Sequence, residues 1–100
     1  MTTSTTARRD EARAALGLYG EARQGSAPWG RVRIDELSPN GFRLTGIASA
    51  DPSQPLRIRI PGLQILSGRI CWHRGKSLGC EFAVPLHEAV FRHIITAANG

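Results

Sequence analysis

Through residue 84, the apolar residues of this 100-residue chain come in short runs that alternate with polar ones, and after Pro85 the period changes. Successive side chains of a strand point to opposite faces, so a period of two marks a half-buried strand. Spacing of i, i+3, i+4 marks a helix. Leu56-Arg57-Ile58-Arg59-Ile60 alternates without a break. The same pattern runs through Arg13–Arg23 (Leu16, Leu18, Gly20 and Ala22 on one face), Arg31–Glu36, Gly41–Thr45, Ile65–Arg74 and Leu78–Val84. Punctuation separates the runs: Gln24–Gly30, Pro39-Asn40-Gly41, the Ala48–Pro55 loop, Pro61-Gly62, and Gly75-Lys76. From Pro85, a suitable first helical residue, the residues Leu86, Ala89, Val90, Ile94 and Ala97 take helical spacing up to Asn99-Gly100. Six strands and a terminal helix predict a mainly β fold, an antiparallel barrel or curled sheet with the helix packed on it.

The hairpin at Gly75-Lys76 allows a register to be written. Gly at the first turn position suits a type II′ turn, which pairs Arg74 with Ser77. Cys71 then faces Cys80, as neighbouring small core residues, and Trp72 covers Gly79. A bulge at Gly75 would shift this register and void the pairing.

One domain fits this length, with residues 1–7 as a disordered tail and residues 8–98 as the folded unit. No apolar run nears the roughly 20 residues that span a bilayer, which predicts no membrane insertion. Met1–Thr6 has no hydrophobic stretch of a secretory signal, and two cysteines make no disulfide scaffold, so a cytoplasmic chain with reduced thiols is expected. The formal net charge is +5, and 12 of the 13 basic residues are arginine. Arginine's rigid fork of donors matches phosphate and the O6/N7 edge of guanine, so the excess charge points to an anionic partner.

Two short motifs concentrate this chemistry. Arg8-Arg9-Asp10-Glu11-Ala12-Arg13 carries R-x-x-x-R in a polar arm, and Glu36-Leu37-Ser38-Pro39-Asn40-Gly41 lies where one strand turns into the next. Guanidinium groups can fork onto phosphates or guanine, a carboxylate can accept the guanine N1–H and N2–H donors, and a serine can donate to phosphate. A glycine permits a positive φ and a close backbone approach. His73, His87 and His93 have no metal-ligand spacing, and no Ser/His/Asp or Cys/His set is placed for catalysis. A non-enzymatic protein without a metal is therefore expected. Arg31, Arg33, Arg57 and Arg59 alternate with aliphatics and read as a solvated outer face. Trp29 reads as a cover over one barrel end or an interaction surface.

Together, Arg9-Asp10-Glu11-Ala12-Arg13, Ser38-Pro39-Asn40-Gly41, Ile70-Cys71-Trp72 and Gly79-Cys80-Glu81-Phe82 resemble the PilZ domain in order and spacing, from Arg8 to about Ile95. The resemblance implies a six-stranded antiparallel barrel with a C-terminal helix. It also implies a bacterial receptor for cyclic di-GMP that passes the signal to a protein partner, with no cofactor beyond that ligand. Carried over by position, Arg9 and Arg13 match the two arginines of R-x-x-x-R, and Ser38 and Gly41 match the serine and glycine of (D/N)-x-S-x-x-G. Arg8 adds a further phosphate contact, and Trp72 lies where some members place a ring near the ligand. The acidic or amide position falls on Glu36, a departure that adds one methylene. The alternative is a PilZ-like interaction module that has lost the ligand. A basic barrel binding single-stranded nucleic acid ranks last, because only six residues are aromatic and most sit at core-like positions.

Overall fold

The computed structural model describes residues 14–61 and 65–99. Six strands close into an antiparallel barrel: β1 (Ala14–Arg23), β2 (Gly30–Ser38), β3 (Gly41–Thr45), β4 (Leu56–Arg59), β5 (Ile65–Arg74) and β6 (Ser77–Phe82). They lie in the order β1-β2-β3-β6-β5-β4, with β4 returning to β1. One helix, α1 (Glu88–Asn99), packs over β1. The expected mainly β barrel with a terminal helix is the fold observed.

Alternation produces the core. Val32, Ile34, Leu44, Leu56, Ile58, Leu66, Ile70, Leu78 and Phe82 point inward from five strands, and Ile94 reaches the same cluster from α1. Each fully buried aliphatic side chain contributes about 1.5–3 kcal/mol relative to exposure. The arginines between them, Arg31, Arg57 and Arg69, stay exposed. The Gly75-Lys76 turn has the expected form, with φ of +57° at Gly75 and no positive φ at Lys76.

The helix begins later than expected. Pro85 is not its first residue; Leu86 donates its N–H to the Pro39 carbonyl at 2.7 Å, which holds the chain against the β2–β3 turn. His87 then caps the helix, its Nδ1 accepting the Ala89 N–H at 3.0 Å. The apolar stripe is also rotated: Val90, Phe91, Ile94 and Ile95 pack on the barrel, while Ala89 and Ala97 are exposed.

Three bulges break the alternation, and two of them decide which side chains face outward. On β2, Ile34 pairs with Leu44 and Glu36 with Arg43, which leaves Asp35 as an extra residue. On β5, Ile70 pairs with Cys80 and Trp72 with Gly79, which leaves Cys71 as the extra residue. An extra residue reverses the facing of everything beyond it. Strict alternation would send Glu36 inward with Val32 and Ile34, and Trp72 inward with Leu66 and Ile70. Instead Leu37 takes the core position and Glu36 turns outward, and Trp72 is 40% exposed. The third bulge, on β1 between Ala15 and Leu18, places Gly17 at φ +62°.

The β5 bulge corrects one expected pair. Trp72 does face Gly79, but Cys71 does not face Cys80, because Ile70 occupies that position. Cys71 is exposed and Cys80 is buried. Burial first, and then the nearby Cys71 charge, pushes the Cys80 thiol up to about 12.

Candidate functional site

The ladders line up one outer face across β2, β3, β6 and β5. One row runs Glu36, Arg43, Gly79, Trp72, and the next runs Ser38, Gly41, Glu81, Arg69. Four of the residues singled out from sequence, Glu36, Ser38, Gly41 and Trp72, therefore share one surface. They are not equally close. Glu36, Ser38 and Gly41 lie on neighbouring strands, whereas Trp72 is three strand spacings from Glu36, about 14 Å along the sheet. Arg8, Arg9 and Arg13 lie outside the described residues. Arg13 directly precedes Ala14, and Ala14 pairs with Leu37, the residue between Glu36 and Ser38.

The hydroxyl of Ser38 organises the β2–β3 turn. Its Oγ accepts the N–H groups of Asn40 and Gly41, each at 3.2 Å. The turn is also held from outside, by Phe82 N–H to the Asn40 carbonyl at 2.8 Å and by the Leu86 contact described above. The expected reason for Gly41 needs correction, since Gly41 does not take a positive φ. A Cβ there would run into the backbone carbonyl of Cys80 on β6. The glycine is required by strand packing, and backbone cannot move aside as a flexible side chain can.

Glu36 reaches across to β3, with Oε2 3.1 Å from Arg43 Nη2; both side chains are partly exposed. The extra methylene relative to Asp lengthens that reach. Next to it, the bulged Asp35 is locked in place. Its side chain is 9% exposed, and it accepts hydrogen bonds from Arg33 Nε at 2.7 Å and Thr45 Oγ1 at 2.5 Å. Thr45 Oγ1 lies 3.1 Å from Ser77 Oγ, so the chain of polar contacts crosses from β2 to β6. Burial acts to raise the Asp35 carboxyl, but the Thr45 and Arg33 hydrogen bonds and arginine charges outweigh it and hold it below its ordinary 3.8.

Trp72 lays its indole on Gly79. A Cβ at Gly79 would collide with the ring, and the ring in turn buries Gly79 from the outer side. Arg74 lies 6.0 Å from the ring centroid. Trp72 thus has a packing role as well as an exposed edge.

Arg43, Asp35 and Thr45 were not singled out from the sequence. A signal for Arg43 was present. A two-residue turn pairing Ser38 with Gly41 makes opposed positions sum to a constant, which puts Arg43 opposite Glu36. Nothing in the alternation marks Asp35 as a bulge, because a charged residue beside another charged residue ends a strand pattern equally well. Among the described residues, no group of His, Cys, Asp and Glu is placed to hold a metal ion, and no helix is long and apolar enough to cross a membrane.

A barrel of this order with S-x-x-G at the β2–β3 turn and a C-terminal helix defines a class, and comparison with protein families agrees: the PilZ domain matches residues 7–99. The chain belongs to the PilZ domain family, a family of cyclic di-GMP receptors. No curated protein matches it.

Proposed function

We propose that this protein binds cyclic di-GMP on the outer face at the β2–β3 turn and relays the binding to a protein partner. The observation that supports this best is that Glu36, Ser38 and Gly41 share one face beside Ala14, where the R-x-x-x-R arm joins the barrel. Glu36 supplies the carboxylate for the guanine N1–H and N2–H donors. Ser38 shapes the turn that presents its own hydroxyl and the neighbouring backbone. The Glu36–Arg43 pair carries no net charge, so neutralising two phosphates falls to Arg8, Arg9 and Arg13. Engagement of the ligand by those arginines then changes the surface offered to a partner. Trp72 touches the ligand only if the ligand spans the face as far as β5.

Calorimetric titration of cyclic di-GMP into the intact chain, with Arg9→Ala and Arg13→Ala beside it, tests the reading. Saturable heat that both substitutions abolish supports it, and no heat at high micromolar ligand ends it.

A second reading has its own observation. Arg43 already engages Glu36, which suits a PilZ-like interaction module whose acidic position has become structural. Glu36→Asp separates the two. Binding gained by the shorter side chain favours a retained site that Glu36 had closed, and binding by the unaltered chain removes the second reading.

A further inference from the structure

The strand order places β4 and β1 across the barrel from β3 and β6, and their outer face carries a different chemistry. Arg59, Glu21 and Arg31 form one row across β4, β1 and β2, and Arg57 faces Arg23 in the row beside it. Like charges placed directly opposite destabilise a sheet. Among the described residues, only Arg59 of these arginines has a carboxylate, Glu21 Oε1 at 2.6 Å. Arg23, Arg31 and Arg57 form no ion pair among the described residues, and Arg23 Nε is buried without a hydrogen bond.

Aromatic rings hold the guanidiniums of Arg23, Arg31 and Arg59. Trp29 is stacked by Arg23 at 4.6 Å and by Arg59 at 4.3 Å, and Tyr19 by Arg31 at 4.3 Å. Stacking fixes the plane of a guanidinium while leaving its edge donors available, which lowers the ordering cost of forming a forked contact with an anion. It also covers ring faces that single-stranded nucleic acid would need for base stacking. The Glu21 carboxylate in the middle of the face opposes a continuous phosphate backbone but tolerates discrete anions placed around it. Neighbouring strands are about 4.8 Å apart, and alternate residues of an extended segment about 6.8 Å apart. Arg57 and Arg23 stand one strand spacing apart, about 4.8 Å, and Arg23 and Arg31, one strand across and two residues along, stand about 8 Å apart, so these long side chains bracket the ~6.8 Å spacing of alternate acidic residues.

We propose that the β4–β1–β2 outer face is a docking surface for an acidic, extended segment of a partner protein, gripped by Arg23, Arg31 and Arg57. This surface is separate from the proposed cyclic di-GMP site.

The test is fluorescence anisotropy with a labelled octaglutamate peptide at low salt, using the intact chain. Binding is expected to saturate and to weaken at least about tenfold in the Arg23→Gln/Arg31→Gln/Arg57→Gln variant. Circular dichroism checks that this variant folds. If it does not, the corresponding triple Arg→Lys variant, which keeps charge and loses the fork, must still weaken binding. No binding, or equal binding by a folded variant, overturns the proposal. A labelled oligothymidylate that binds more tightly than the peptide through the same three arginines also overturns it, in favour of nucleic acid. Cyclic di-GMP titration of the Gln variant reads the other face and is expected to match the unaltered chain.

Discussion

Glu36 and Arg43 face each other across the β2–β3 ladder, Oε2 to Nη2 at 3.1 Å, in the register set by the Ser38–Gly41 turn, and the Asp35 bulge lets Glu36 point outward while Ile34 points into the core. Without that extra residue, Glu36 would share the core phase of Val32 and Ile34. The outward-facing carboxylate is thus a product of strand register as much as of residue type. Each part of that arrangement can be perturbed separately.

Removing the carboxylate tests its role in binding. Glu36→Ala is expected to weaken cyclic di-GMP binding at least about tenfold, the scale of losing a charged hydrogen-bond partner. Loss of the partly exposed pair with Arg43 should itself account for no more than about 1 kcal/mol of stability. Calorimetry reads the first quantity and urea denaturation the second.

Asp35 should behave in the opposite way. Asp35→Asn is expected to cost about 1–2 kcal/mol of stability at neutral pH, by weakening the Arg33 and Thr45 contacts. The carboxyl is held below its ordinary 3.8 in the fold, so its contribution is present above that value and is lost as pH falls further. Denaturation of both proteins at neutral pH and near pH 3 checks this, with the gap between them expected to shrink at the acid end. A gap that widens in acid contradicts the assignment.

Gly41→Ala is expected to destabilise the barrel by about 1–3 kcal/mol with no ligand present, because the added Cβ meets the Cys80 backbone carbonyl. Thermal denaturation of the ligand-free variant measures it. Loss of cyclic di-GMP binding in this variant would therefore report the β3–β6 packing, and a variant as stable as the parent would show that the strands can separate.

The two thiols should react unequally. Cys71 is exposed, whereas the Cys80 thiol is buried and pushed up to about 12. The thiolate is the reactive form. Iodoacetamide at mildly alkaline pH is expected to label Cys71 alone in the folded chain and both residues in urea, as read by mass spectrometry of peptides. Rapid labelling of Cys80 in the folded state would contradict its place in the core, and protection of Cys71 would contradict the β5 bulge.

The same bulges mark the limit of what the sequence discloses. Period-two runs located all six strands, and the turn arithmetic correctly put Trp72 over Gly79. It failed one residue earlier, at Cys71, because a register sum assumes an unbroken ladder. It would have failed at Asp35 for the same reason. Bulges are set by how neighbouring strands twist and hydrogen-bond, here through Thr45 and Ser77, which are distant in sequence from Asp35. The motif residues Ser38 and Gly41 were legible by type and position. Their local reasons, a turn-capping hydroxyl and a carbonyl pressed against the glycine, depend on β6 and could not be read from their own segment. Arg8, Arg9 and Arg13 lie outside the described residues, so their part in the site rests on the motif and on chain connectivity to Ala14.

The most direct test of cyclic di-GMP binding at the β2–β3 face is a map of amide chemical-shift changes as the ligand is added to the isotope-labelled chain. The largest shifts are expected at Arg9, Arg13, Glu36, Ser38, Gly41 and Arg43, with the arginines of β4 and the second half of β1 nearly unmoved. Shifts centred on Arg23, Arg31 and Arg57, or none at saturating ligand, would contradict binding at that face.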